Sequence, residues 1–115
     1  MPPRDWRFRL QDILDAIAAV QSYTAGMDYA TFAGDRRTVD AVVRNIEIIG
    51  EAASHVPRSV TLAHPEIPWA EMRGMRNIIV HEYFGVTDRI LRDTVNKNLP
   101  PLVEPLQGLL HSDRQ

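Results

Sequence analysis

Four side chains in one short stretch of this chain have the types needed to hold a phosphodiester and to move protons around it: Arg76, Asn77, His81 and Tyr83, within RGMRNIIVHEYFG at positions 73–85. Arginine brings a guanidinium that stays charged at any physiological pH and matches phosphate oxygens in a bidentate fork. Histidine titrates near neutrality and can take and return a proton. An amide and a phenol add groups that orient a substrate or the histidine by hydrogen bonds. RNA carries its own nucleophile in the 2′-hydroxyl. Strand cleavage then needs only deprotonation of that group, protonation of the departing 5′-oxygen, and stabilisation of the charge on the phosphorane between them. The four histidines, His55, His64, His81 and His111, lack the paired spacing of a zinc site, so neither a metal nor another cofactor is expected.

Arginine, four residues, histidine, one residue, tyrosine, here Arg76, His81 and Tyr83, resembles the motif of the HepT-like toxins, members of the HEPN superfamily of small all-helical ribonucleases. Ile49-Gly50-Glu51-Ala52, Ile67-Pro68-Trp69 and Pro100-Pro101-Leu102 resemble that family as well, so the likeness extends over nearly the whole chain. The resemblance implies a metal-independent endoribonuclease cutting single-stranded RNA, the toxin of a toxin–antitoxin system. Arg76 and His81 would be catalytic, while Asn77 and Tyr83 would orient histidine or substrate. It also implies a partner, a minimal nucleotidyltransferase antitoxin that silences the toxin by adding AMP to Tyr83.

Three further residues are weaker candidates. Arg73 would widen the phosphate-binding arc but lies outside the motif. Glu51 is placed to orient Arg76 if its helix packs nearby, and Arg44 shares that helix; a solvated ion-pair face explains both equally well. The competing reading of the whole chain is a non-catalytic HEPN module that binds nucleotide or scaffolds a nucleotidyltransferase complex. A silent module has no chemical reason to keep Arg76 and His81 together.

Composition bounds these readings. At 115 residues the chain has room for one domain, spanning 1–115. A hydrophobic content of 44% with 24% charged residues is ordinary for a soluble globular protein, and no apolar run approaches the roughly 20 residues of a membrane span. Cysteine is absent and no secretory leader is recognisable, so the cytoplasm is the expected location. A net charge of −2 argues against broad affinity for nucleic acid, and RNA binding must then be local. Twelve of the 13 basic residues are arginine, which suits phosphate recognition but equally reflects genome composition.

Apolar residues at helical spacing predict the elements that must position the motif. Asp5 caps a first helix to about Ser22, with Leu10, Ile13, Leu14, Ile17 and Val20 facing the core. A connection from Thr24 to Gly34 holds at most a short turn after Asp28. Asp35 then caps a second long helix ending near Pro57, with an apolar stripe at Val39, Val42, Val43, Ile46, Ile49, Ala53 and Val56. Gly50 costs that helix about 1 kcal/mol relative to alanine, so a close helix contact is its expected reason. A loop over Pro57 to Ile67 leads to a third helix from Pro68 to about Tyr83. A fourth runs from Thr87 or Asp88 to about Asn98, and Pro100-Pro101 breaks it before a short last helix. The expected fold is all-α, an antiparallel bundle of four long helices plus a short C-terminal one.

On the third helix, at about 100° per residue, Met72, Met75, Ile78 and Ile79 gather on one side and Arg73, Arg76, Asn77, His81 and Tyr83 on the other. Arg76 and Tyr83 are nearly in line, whereas Arg76 and His81 differ by about 140°. A two-fold dimer that faces two copies of this helix across a shared cleft would close that gap, and a homodimer is therefore expected.

Overall fold

The computed structural model describes residues 5–82 and 88–112, of which residues 77–82 are described by their backbone alone. Every element among the described residues is helical: α1 (Trp6–Thr24), α2 (Tyr29–Gly34), α3 (Arg36–Ser54), α4 (Arg58–Ala63), α5 (Trp69–Glu82), α6 (Asp88–Asp93), a π-helical turn over Thr94–Asn98, and α7 (Pro100–Ser112). None of them is long and apolar enough to cross a membrane. Helix α3 is central, with α1 and α5 packed along it, α7 against α1, and the short pair α2 and α6 against each other and against α3.

Three aspartates start helices in the same way, by taking up backbone N–H groups that the first turn leaves without partners. Asp5 accepts from the Arg7 amide at 2.9 Å, Asp28 from Thr31 at 2.8 Å, and Asp35 from Thr38 at 3.1 Å, with the Thr38 hydroxyl adding a second bond at 2.9 Å. The amide and hydroxyl of Thr31 hold the Asp28 carboxyl below the usual carboxylate range, as those of Thr38 do for Asp35.

The core follows the predicted stripes. Leu10, Ile13, Ile17 and Val20 of α1 are fully buried, and Leu14 is half-buried beside them. All seven apolar positions expected of the α3 stripe, from Val39 to Val56, are buried, while Arg37, Asp40, Arg44, Glu51 and Ser54 are exposed. Met72 and Met75 carry the inner side of α5. Trp69 opens α5 from within the core, and its indole N–H donates to the His64 carbonyl at 2.9 Å. A buried indole needs such a partner, and this one ties the start of α5 to the segment before it.

The helical inventory departs from expectation in three places. The connection before α3 folds as a full helix, α2, whose Phe32 is completely buried. The stretch after Pro57 contains α4, a single exposed turn and a half with no fully buried residue, too short to show an apolar period. Pro100-Pro101 does not break the chain before a short last helix. The helix from Asp88 widens instead into the π turn, where the Leu99 amide reaches back five residues to the Thr94 carbonyl at 3.0 Å. Proline has no N–H to give and its ring crowds the carbonyl four residues earlier, so a wider turn lets α7 begin at Pro100 itself and run for 13 residues. The predicted boundaries at Tyr83 and Thr87 lie outside the described residues.

Candidate active site

Helices α3 and α5 approach so closely at one point that only glycine fits. A Cβ built on Gly50 would lie 2.6 Å from the Arg76 Cβ and 2.7 Å from the Arg76 backbone nitrogen. Close packing is thus the reason for the helical glycine, and the residue it admits is the motif arginine. Glu51, next along α3, then accepts from Arg76, Nη1 to Oε2, at 2.7 Å. Both side chains are about half exposed, at 51% and 49%. Water screens such a pair, and its worth to stability is at most about 1 kcal/mol. What the contact supplies is direction: among the described residues one of the five guanidinium donors is engaged, and the fork is held so that others can meet a second acceptor.

The same glutamate carries His55 four residues later, whose Nδ1 lies 2.8 Å from the Glu51 carbonyl and 3.7 Å from its Oε1. Glu51 therefore stands between the Arg76 guanidinium on α5 and the His55 ring just past the end of its own helix.

Arg76 lines a cleft of about 320 Å³ formed where α1, α3 and α5 meet. Arg9 and Asp12 enter it from α1, and Arg44, Glu47 and Glu51 from α3, with Ile48 and Ala52 as its apolar part. The α3 contributors recur every three or four residues, which places them on one side of that helix. Helix α3 accordingly has three working faces: a buried stripe, the contact with α5 at Gly50, and this charged side.

Of the residues singled out by sequence, Arg76 and Glu51 are brought into direct contact and Arg44 joins them in the cleft. Arg73, one turn before Arg76, is exposed on α5 and does not line that cleft. Asn77 and His81 belong to the α5 helix by their backbone; their side chains, and Tyr83 altogether, lie outside the described residues. Among the described residues no group of three or more His, Cys, Asp or Glu is arranged to hold a metal ion. Sequence reasoning did not single out Arg9, Asp12 or Glu47. Arg9 and Arg76 are 67 positions apart, and no local pattern links them; only the packing of α1 and α5 on α3 does.

A small all-helical protein, with Arg76 on one helix fixed by Gly50 and Glu51 of another, is the class that fold and site define. Residues 13–109 match the model of the ribonuclease HepT-like family. The chain belongs to that family. It is 43% identical to the probable ribonuclease HepT of Thermococcus cleftensis over 93 residues, covering 81% of this chain and 84% of that one. It is 32% identical over 110 residues to a putative RNase of Methanocaldococcus jannaschii, covering 96% and 91% of the two chains. A putative RNase of Caldanaerobacter subterraneus is 34% identical over 105 residues, with 91% and 94% covered. No solved structure matches the chain.

Proposed function

We propose that this chain is a metal-independent endoribonuclease that cuts single-stranded RNA in the cytoplasm and serves as the toxin of a toxin–antitoxin pair. The observation that carries the reading is the placement of Arg76: the motif arginine lines an arginine-bearing cleft, packed against Gly50 and held by an ion pair with Glu51. The relatives named as ribonucleases support the same chemistry.

In this reading Arg76 clamps the non-bridging oxygens of the scissile phosphate and stabilises the extra negative charge of the phosphorane. His81 transfers the proton between the 2′-hydroxyl, which attacks phosphorus, and the 5′-oxygen, which leaves; Asn77 orients the imidazole or the phosphate, and Tyr83 positions the strand. Products carry a 2′,3′-cyclic phosphate and a free 5′-hydroxyl. Single-stranded substrate is favoured because an unstacked nucleotide can reach the in-line geometry that a duplex forbids. Two copies pair as an antiparallel-bundle homodimer with their α5 helices face to face, which brings Arg76 of one copy towards His81 of the other.

The test is cleavage of a labelled single-stranded RNA by Arg76→Ala and His81→Ala in chelator-treated buffer. Each variant should lose at least 10²- to 10⁴-fold in rate with helical circular dichroism unchanged. Wild-type speed in either variant removes that residue from the chemistry, and wild-type activity that dies with chelator removes the metal-free mechanism.

Control by the antitoxin falls on Tyr83. Addition of AMP would put a phosphate beside Arg76, a charge-assisted pair in the place meant for RNA. Mass spectrometry after co-expression with a minimal nucleotidyltransferase should show one AMP-sized increase on the Tyr83 peptide and loss of cleavage. Full activity in spite of that mass would sink the switch.

A further inference from the structure

The cleft holds two arginines for which neither the motif nor the helix packing has a use. Arg9 on α1 and Arg44 on α3 line it together with Arg76 on α5. Asp12 and Glu47 stand three residues after them on the same helices, at ion-pairing spacing. Yet among the described residues neither Arg9 nor Arg44 has a carboxylate within 4.0 Å, whereas Arg76 does. Two guanidinium groups thus line a concave space together with the arginine that clamps the scissile phosphate, and among the described residues no side-chain hydrogen bond or ion pair engages them.

We infer that Arg9 and Arg44 form a second phosphate-binding subsite, which holds the backbone phosphate of a ribonucleotide neighbouring the cleavage point. The inference rests on the ribonuclease reading above and deepens it. A volume of about 320 Å³ lies at the small end of ligand sites, the scale of one nucleotide rather than of a folded RNA. Guanidinium forks from two helices can take the oxygens of one phosphate from two sides. Glu47 gives the cleft an acceptor as well, suited to a ribose 2′-hydroxyl or a base amino group, and Asp12 adds a second negative charge. Their charge offsets that of the two arginines, so the cleft is not a general sink for polyanions. This accords with a chain of net charge −2 that acts on nucleic acid locally.

The experiment is equilibrium binding by the 115-residue chain carrying His81→Ala, so that the RNA survives. The probe is a fluorescent single-stranded oligoribonucleotide, titrated across a range of salt concentrations. Arg9→Gln and Arg44→Gln, added singly, should each weaken binding about fivefold to tenfold and flatten the slope of log K against log salt by about 0.7, the value for one single-strand phosphate contact. Arg58→Gln, an exposed arginine on α4 outside the cleft, removes the same charge and should do neither. In the cleaving protein, Arg44→Gln should raise KM about fivefold to tenfold while kcat falls less than about threefold. Unchanged affinity and slope in both variants, or an equal effect of Arg58→Gln, overturns the subsite. A fall in kcat with KM unmoved also overturns it, since that is the signature of a disturbed Arg76. If the wild-type chain neither binds nor cuts RNA, the ribonuclease reading falls first and takes this one with it.

Discussion

Arg76 has two constraints on it that a surface arginine does not normally carry: its backbone is pressed against Gly50 and its guanidinium is held at 2.7 Å by Glu51. The Glu51 contact is half exposed and contributes little to stability, so its effect should appear in rate. Glu51→Gln keeps the shape and removes the charge. It should leave the thermal midpoint within about 2 °C, as a change below roughly 0.5 kcal/mol implies for a domain of this size. Cleavage should slow about tenfold through kcat as the fork loses its orientation. Thermal melting together with single-turnover cleavage reads both; a large drop in melting temperature with kcat intact would make Glu51 a structural residue.

Among the elements, α3 decides where the site can be. Its buried stripe anchors it in the core, its Gly50 lets α5 approach, and its Arg44, Glu47 and Glu51 line the cleft. Gly50→Ala separates the helix-propensity effect from the packing effect. Alanine is the better helix former by about 1 kcal/mol. Its Cβ, however, would overlap the Arg76 backbone at 2.7 Å, which a flexible side chain cannot relieve, and overpacking of this kind costs about 1–3 kcal/mol. The variant should therefore be less stable in urea and lose activity more than stability, because α5 must move away from Glu51. A gain in stability with full activity would show that the two helices have slack that the geometry denies them.

For the whole molecule, the proposed mechanism requires Arg76 and His81 to meet, and about 140° separates them on one straight helix. Glu51 already holds the Arg76 fork towards the α1–α3 cleft. A second copy is the simplest source of the histidine, and sedimentation at micromolar concentration should find a dimer. Mixing Arg76→Ala with His81→Ala chains should then restore up to about one quarter to one half of wild-type activity, because a mixed dimer rebuilds one shared cleft. A monomer that cleaves RNA at full rate would remove this arrangement.

The all-α class, the apolar stripes of α1 and α3, the caps at Asp5 and Asp35 and the helix that carries Arg76 were legible from residue types and spacing alone, because each is a local property: a period of 3.6 or an oxygen before a first turn. Gly50 as a point of close approach was legible too, since a helical glycine is costly without a cause. The helices α2 and α4 were not, being one turn and a half long, and neither was the π turn, where two prolines were read as a stop. What only the tertiary structure decided is which partner each charge meets. Glu51 is a solvated carboxylate or an aiming device according to whether α5 lies against it, and Arg9 belongs to the cleft only because α1 and α5 pack on the same helix. Such pairings span 25 and 67 positions of chain, and no periodicity encodes a distance across that span; burial of the α3 stripe does, by fixing the helices on either side of it.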